Sequence, residues 1–574
     1  MPGPPRLDPA RASGSTVWPS RRGAAGLLLI LLAAWFAGIG SHPLYEPDEG
    51  RYAEVARQMV TTGDWVMPRF DGFRFYDKPP LQYWATALAY HAFGVHEWTA
   101  RLWSAVAGLL CVAAIWYAAR RVWGLRHARL AAMVCAGSVL IAIGAHVNTL
   151  DMGVTAFLTL ALGTFLIAQH GGTTASAQRW WMLGTWLAMA LGVLSKGLIA
   201  LVLPGASLLI YLLWQRDAGL LRRVQVLPGM ALLLLVAAPW FVLLARRDDQ
   251  FLSYFFIHEH FGRFLSKVVD RNHPWWYYLP IVAVGLLPWT AFLSAALRTG
   301  WSRATLGRDG ATRLVVAWSA VVIVFFSWSG AKLPLYILPL FPALSLLLAG
   351  AIMSMPPRAV TRRLLPVAVL AALVATVAIW LPHTPMLRGS REAYIALCSP
   401  FAISALLLAA GTAIGATFAW RGHVDAAIAA AALGGLLFTQ GLLQAYQRMG
   451  ATASAQPIAM HALPYLSANG PVYAVHDFAR GLPFYLRRQV TLVDERPYDM
   501  RAGMDWDPQL SIPDVQAFAS AWASHPDAVA IMRERSFIAL SGQGLPMRIV
   551  ASVDGIRIVR HPLPVAASTG PAPR

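Results

Sequence analysis

Gly26-Leu27-Leu28-Leu29-Ile30-Leu31-Leu32-Ala33-Ala34-Trp35-Phe36, followed closely by Glu46-Pro47-Asp48-Glu49-Gly50-Arg51-Tyr52, is the stretch on which the fold turns. Residues 24–40 have the apolar length of a secretory leader's core. They equally suit a first, uncleaved membrane helix. The second reading is the stronger one, because a dense polar motif follows at once and apolar stretches continue as far as residue 445. Hydrophobic residues make up 57% and charged residues 13% of 574 positions, the balance of a polytopic membrane protein and not of a soluble globule. A spanning helix needs about 20 mostly apolar residues. On that basis we expect an α-helical membrane protein with about thirteen spans: 23–40, 98–119, 127–146, 152–169, 180–195, 198–214, 224–245, 275–297, 314–330, 333–353, 364–382, 394–419 and 425–445.

Charge orients these spans. The net charge of +19 would suit nucleic acid, but the arginines sit in short loops between apolar segments, so the basicity is topogenic and no nucleic-acid partner is expected. With residues 1–22 as a disordered cytoplasmic tail, the inner loops collect Arg120, Arg121, Arg126, Arg129, Arg216, Arg222, Arg223, Arg298, Arg303, Arg308, Arg313, Arg358, Arg362 and Arg363. The outer side receives two long loops, 41–97 and 246–274, and most of the acids, among them Asp48, Glu49, Glu54, Asp64, Asp71 and Asp77. All four lysines, Lys78, Lys196, Lys267 and Lys332, also fall outside. An odd number of spans leaves 446–574 outside too. Its β-rich runs 471–475 and 489–493 and its helical stretch 514–523 predict a small α/β domain. Cys111, Cys135 and Cys398 lie in apolar stretches without metal or disulfide spacing and read as core residues. Within the first outer loop, 49–59 has helical spacing and 80–93 is an aromatic run suited to the membrane interface.

Several outer clusters carry chemistry. Asp48 and Glu49 precede Arg51 and Tyr52, and carboxylates beside cations stay ionised, which suits a base or an orienting group. The same pair would equally serve as solvated loop acids. Asp77-Lys78-Pro79-Pro80 closes the loop, and the double proline stiffens the backbone that carries the Lys78 ammonium. Asp151, at a helix start, reads as a cap as readily as a catalytic acid. Lys196 and Lys332 stand in short outer turns, where lysine works against the topogenic rule; a snorkelling anchor is the plainer alternative. Tyr336 is expected on the helical face that Lys332 shares. His258 and His260, with Glu259 or Asp77, offer candidate ligands for a divalent cation, although histidines at i and i+2 are a weak signature. Arg263 suits a phosphate fork. Ionisable residues are scarce in mid-span, which counts against a transporter.

Glu46-Pro-Asp-Glu-Gly-Arg-Tyr-Ala-Glu, Gly63-Asp64-Trp65, Asp77-Lys78-Pro79, Leu194-Ser-Lys-Gly197, the 258–264 stretch and Ala331-Lys-Leu-Pro334 together resemble the GT-C glycosyltransferases. Among these, the sequence is most similar to the bacterial 4-amino-4-deoxy-L-arabinose lipid A transferases, relatives of the protein O-mannosyltransferases. The resemblance covers about residues 40–345 and, in span count, the membrane region. It implies a transmembrane catalytic domain over 23–445, to which the α/β domain read from patterning over 446–574 is appended on the periplasmic side. It also implies residence in the bacterial inner membrane with a periplasmic active site, a sugar donor on undecaprenyl phosphate, and lipid A or another periplasmic acceptor.

By the same resemblance Asp48 matches the essential first-loop acid, and Asp151 an acid of the second short outer loop. Arg51, Lys78, Lys196 and Arg263 match donor-phosphate positions with Tyr336 nearby, and His258 lines the site. Tyr52, Lys332 and Glu49 complete the candidate set. No cofactor is expected as a requirement, and a divalent cation stays open. Two alternatives stand beside lipid A transfer: a hexose transferase of the same fold acting on protein or glycan, and a lipid-linked sugar flippase.

Overall fold

The computed structural model describes residues 21–217, 219–262, 273–300, 302, 309–384, 391–448 and 453–562, without the side chains of 21–25, 27–28, 258–262 and 391–393. The chain forms two compact units. One comprises Met1–His42, Lys78–Ala85 and His96–Arg448, the other Pro43–Asp77, Thr86–Val95 and Met449–Arg574.

The first unit is helical. Among the described residues, seven helices are long and apolar enough to cross a membrane: Glu97–Val122, Leu150–His170, Leu220–Ala245, Gly310–Trp328, Pro357–His383, Tyr394–Trp420 and Val424–Tyr446. The count rises to nine if each of two bent pairs is one span. Ile199–Gln215 and Leu340–Met353 are shorter apolar helices, and Arg21–Phe36 and Ala175–Lys196 are helical as well. Each expected span therefore overlies helix, while length and composition pick out seven to nine crossings where about thirteen were expected.

The bent pairs explain part of that difference. Leu125–Gly137 and Val139–His146 meet at 62° across Ser138, whose backbone is extended. Trp275–Gly285 and Thr290–Gly300 meet at 111°, with Pro288 in the break unable to donate to the helical ladder. The two breaks touch: the Val139 amide donates to the Leu287 carbonyl at 3.2 Å, so irregular backbone at depth is satisfied by protein. Helices Arg391–Trp420 and Val424–Tyr446 approach backbone to backbone at Gly411 and Gly434, where an added Cβ on Gly411 would stand 2.6 Å from Gly434 Cα. Cys111 and Cys135 are buried and Cys398 is half-buried, all as free thiols, in line with core roles.

Polar groups separate to the two ends of these helices. Asp151 opens helix Leu150–His170 and Lys196 closes Ala175–Lys196, one end of an antiparallel pair. At the other end, His170 Nε2 meets the Tyr211 hydroxyl at 2.8 Å and Arg313 donates to Gln215 Oε1 at 2.7 Å. There too Arg223 pairs with Asp217.

The second unit is α/β. Arg69–Phe70 (β1) and Phe73–Arg74 (β2) form a hairpin. A six-stranded sheet is built from Val472–Val475 (β3), Thr491–Val493 (β4), Ser511–Ile512 (β5), Val529–Arg533 (β6), Arg548–Val553 (β7) and Ile556–Arg560 (β8), in spatial order β5-β4-β3-β6-β8-β7. β3 is parallel to β4 and β6, while β8 is antiparallel to β6 and β7. Every residue of β3 is buried, as a central parallel strand requires. Tyr473, Val475, Val493, Phe518 and Trp522 fill the core beneath helix Val515–Ser524, which Asp514 caps through the Ala517 amide. The expected strands and helix are all present.

One boundary differs from the sequence reading. Loop 41–97 was grouped with the membrane domain, whereas Pro43–Asp77 and Thr86–Val95 pack with the C-terminal segment. Buried contacts invisible in local sequence cause this. Glu46 accepts the Arg480 and Gly481 amides at 2.8 and 2.7 Å, Asp71 accepts the Val490 amide at 2.9 Å, and Arg74 pairs with Asp507 at 3.1 Å.

Candidate active site

Within the membrane unit, Asp151 and Lys196 form an ion pair. Each is placed by its helix. Asp151 lies in a first turn and Lys196 in a last turn, where the helix dipole favours a carboxylate and an ammonium respectively. Gly197, with φ of 88°, then turns the chain out of the helix, a conformation that suits glycine. The Lys196 ammonium also lies 4.2 Å from the centroid of the Tyr336 ring, a cation–π contact. Tyr336 therefore partners Lys196, not the Lys332 face expected from helical spacing, because Pro334–Ile337 is a 3-10 turn and the spacing of an α-helix does not apply. Lys332 is 4% exposed and donates to the Ser329 carbonyl of its own turn at 2.6 Å.

The Lys78 segment reaches the same helix ends through Gln82, one turn on. Gln82 Nε2 donates to Asn148 Oδ1 at 2.8 Å, tying that segment to the turn before Asp151. Pro79 and Pro80 lead into helix Leu81–Phe93, and Lys78 is half-buried. The arrangement gathers Asp151, Lys196 and Tyr336 tightly, with the Gln82 segment beside the Asp151 turn.

In the second unit, helix Asp48–Thr62 carries the acidic motif. Arg51 is 6% exposed and forms a hub: it pairs with Asp48, donates to the Tyr52 hydroxyl at 3.1 Å and pairs with Asp499 at 2.7 Å. Its guanidinium lies 4.8 Å from the Tyr52 ring centroid and 5.7 Å from that of Phe75. Burial opposes the Arg51 charge, but Tyr52, Asp48, Asp499 and Asp77 outweigh it and hold the guanidinium firmly protonated. Asp499 also pairs with Arg480 at 3.0 Å. Burial works against the Asp499 carboxylate, yet the two guanidinium groups hold its pKa down to about 2. Glu46 behaves differently: burial pushes its carboxyl above the usual range despite its two amide donors.

Glu49 separates from Asp48 in role. It is 1% exposed and accepts the Tyr45 amide at 2.9 Å, which commits it to holding the helix entry. Asp48 remains half-buried against Arg51. Asp77 is buried. Arg263 and the side chains of His258, Glu259 and His260 lie outside the described residues. Among the described residues, no group of three or more His, Cys, Asp or Glu is arranged to hold a metal ion. Arg480, Asp499 and Gln82 were not singled out from sequence. Asp499 stands 448 residues from Arg51 in an ordinary Tyr498-Asp499-Met500 turn, so no local pattern marks it.

Comparison with known proteins places these features in a family. A family model described as dolichyl-phosphate-mannose-protein mannosyltransferase matches residues 77–243, and one described as the aminoarabinose transferase C-terminal domain matches residues 458–561. The undecaprenyl phosphate-alpha-4-amino-4-deoxy-L-arabinose arabinosyl transferase of Aeromonas salmonicida is 37% identical over 328 residues, 57% of this chain and 59% of the relative. The protein of the same name from Pseudomonas aeruginosa PAO1 is 37% identical over 336 residues, 58% of this chain and 60% of the relative. The alignments thus span less than two thirds of these curated relatives' lengths. Structural similarity extends further. The crystal structure of ArnT from Cupriavidus metallidurans bound to undecaprenyl phosphate superposes with a TM-score of 0.88 at 32% identity, covering 96% of this chain and 100% of that one. Its apo form gives a TM-score of 0.85 at 32% identity, covering 94% and 97%. The chain belongs to the aminoarabinose transferase family, as a multi-pass membrane protein of the GT-C type.

Proposed function

We propose that the protein transfers 4-amino-4-deoxy-L-arabinose from undecaprenyl phosphate to lipid A at the periplasmic face of the inner membrane. The observation that carries this reading is the superposition, along nearly the whole chain, on the crystal structure of Cupriavidus metallidurans ArnT bound to undecaprenyl phosphate. The family model over residues 458–561 supports the aminoarabinose assignment.

The chemistry follows from charge. As the glycosidic bond to a polyprenyl phosphate breaks, negative charge grows on the departing phosphate, and fixed cations in a water-poor site stabilise it more than bulk water would. Lys196 is suited to this role, because Asp151 and Tyr336 hold its ammonium in one place. Lys78 is proposed as a second donor-phosphate cation and Lys332 as a group that closes the turn beside Tyr336. Arg263 and His258 keep the donor-binding roles that the resemblance implies. In the second unit Asp48, set by Arg51 and Tyr52, orients the acceptor or meets the cationic amine of the sugar. A phosphate acceptor is already anionic and needs no base, so an orienting role fits lipid A better than proton abstraction. Fixed ammonium and guanidinium groups supply positive charge without an ion, and chelation is expected to leave transfer intact.

The test is mass spectrometry of lipid A from cells with and without the gene. A gain of one aminopentose on a phosphate is expected. Unchanged lipid A would overturn the reading. The mannosyltransferase-type model over residues 77–243 favours one second reading, transfer of a hexose to protein, which glycoprotein analysis of the same cells would detect.

A further inference from the structure

At the end of the membrane helices opposite the Asp151–Lys196 pair lies a cavity of about 460 Å³. Pockets for small ligands run from about 300 to 1,000 Å³. The last turn of helix Leu150–His170, the first turn of Ala175–Lys196, the last turns of Ile199–Gln215 and the turn carrying Asp217, Leu220 and Arg223 wall it. Apart from Leu220, every described side chain in that wall is polar. The transfer chemistry proposed above uses none of them.

Their hydrogen bonds show what remains for an occupant. Arg223 gives its Nε to Gln169 Oε1 at 3.0 Å and one Nη to Asp217. These two partners fix the guanidinium plane and leave the donors of its other Nη. Asp217 is committed, since it holds Arg223 and accepts the Gly219 amide at 3.0 Å. Gln178 spends its Nε2 on the Ala168 carbonyl at 2.9 Å, which leaves its Oε1 as an acceptor. The Tyr211 hydroxyl meets His170 Nε2 at 2.8 Å and accepts from Gln215 Nε2 at 3.0 Å, so the floor is neutral. A held guanidinium fork suits a phosphate oxygen, and a spare amide oxygen suits a hydroxyl. One phosphate charge with hydroxyls close by satisfies both.

Depth narrows the source of that group. Trp180, 72% exposed, stands two residues past Gln178, and Trp214, also exposed, stands just before Gln215. Tryptophans at helix ends mark the membrane interface, where lipid headgroups lie. Arg179, Arg216 and Arg222 are exposed alongside them. Basic pockets between spanning helices at this depth take anionic headgroups. We infer that the cavity is a second lipid site, separate from the donor site, that holds the headgroup of an anionic glycerophospholipid of the phosphatidylglycerol type. Its phosphodiester sits on Arg223 and its glycerol hydroxyls on Gln178 and the neutral floor. Glycerol phosphate dissolved in water shares this chemistry.

Native mass spectrometry of the purified full chain in detergent, with equimolar phosphatidylglycerol and phosphatidylethanolamine added, tests the site without donor or acceptor. Wild type is expected to retain phosphatidylglycerol over phosphatidylethanolamine by about tenfold, the worth of a hydrogen bond to a charged group. Arg223→Gln should lose that preference and Arg222→Gln, on the exposed rim, should keep it. Gly219→Phe leaves every charge in place and fills the mouth, since an added Cβ stands 3.1 Å from Asp217 Oδ1 and 3.5 Å from Arg223 Nη1; it should lose the preference too. Equal retention of the two lipids by wild type would overturn the site. Equal losses in Arg222→Gln and Arg223→Gln would also overturn it, in favour of diffuse attraction between arginines and anionic lipid. Displacement of the bound lipid by millimolar glycerol phosphate would overturn the lipid as occupant in favour of a soluble phosphate ester.

Discussion

Lys196 shows how a residue's environment turns a topological oddity into a site. In sequence it stood out as an outer lysine in a motif that the family resemblance links to the donor phosphate; in the fold its ammonium is shared between the Asp151 carboxylate and the Tyr336 ring. Removing one preorganised group that stabilises transition-state charge costs about 100- to 1,000-fold in kcat. Lys196→Ala is expected to fall in that range in a single-turnover transfer assay. Asp151→Asn, which removes only the group that positions Lys196, should lose less. Equal losses would mean that Asp151 touches the reaction directly.

Asp499 makes the complementary case, since nothing near it in sequence announces it. It joins Arg51 to Arg480 and has a pKa near 2, below its ordinary 3.8. A depressed carboxylate contributes stability that is complete above about pH 4 and is lost as pH falls through 2. The size of that contribution is about 2 kcal/mol. Thermal melts of wild type and Asp499→Asn should therefore differ by a constant interval from pH 7 to 5 and converge toward pH 2. A gap that widens on acidification would contradict the pairing. The paired acids Asp48 and Glu49 were legible as a motif, but their division of labour was not. It depends on which carboxylate the Tyr45 amide captures, and backbone geometry decides that.

At the scale of elements, periodicity was informative and boundaries were not. Helical spacing at 49–59 became helix Asp48–Thr62, and the aromatic run 80–93 became Leu81–Phe93. The domain to which the first helix belongs was hidden, because a tertiary approach decides it. Gly50 meets Gly481 so closely that an added Cβ would stand 2.5 Å from Gly481 Cα. Both atoms are backbone and cannot rotate aside. Gly50→Ala should therefore destabilise the unit by about 1–3 kcal/mol, the usual penalty for overpacking, read as a lowered melting temperature. Gly63→Ala is a useful contrast. It meets nothing within 4 Å, but its φ of 72° strains an L side chain, so its cost should come from backbone strain and stay near 1 kcal/mol. In the membrane unit, breaks at Ser138 and Pro288 divide two apolar runs that hydropathy alone reads as straight spans.

For the whole molecule, the distribution of arginines and lysines was the most readable feature. Within the membrane unit, Asp151, Lys196 and Tyr336 meet at one end of helices whose other ends hold Arg223, Asp217, Gln215 and Arg313. Helix Leu150–His170 separates the two groups by 21 residues, about 30 Å at 1.5 Å per residue, the thickness of a bilayer core. With the Asp151–Lys196 end proposed as the periplasmic one, a cysteine at the exposed His273 is expected to react with a membrane-impermeant maleimide from outside intact spheroplasts, and one at Thr173 only after lysis. What the sequence could not disclose at this scale is the pairing of residues hundreds of positions apart, such as Arg51 with Asp499. Fixed cations of this chain are proposed to draw a sugar off a polyprenyl phosphate, which is then delivered to lipid A. The most direct measurement is transfer of radiolabelled aminoarabinose from undecaprenyl phosphate to lipid A by the purified protein in detergent, beside Lys196→Ala. Labelled lipid A with wild type, reduced at least 100-fold in the variant, is the predicted result; no labelled lipid A with wild type, or equal labelling with both, would contradict it.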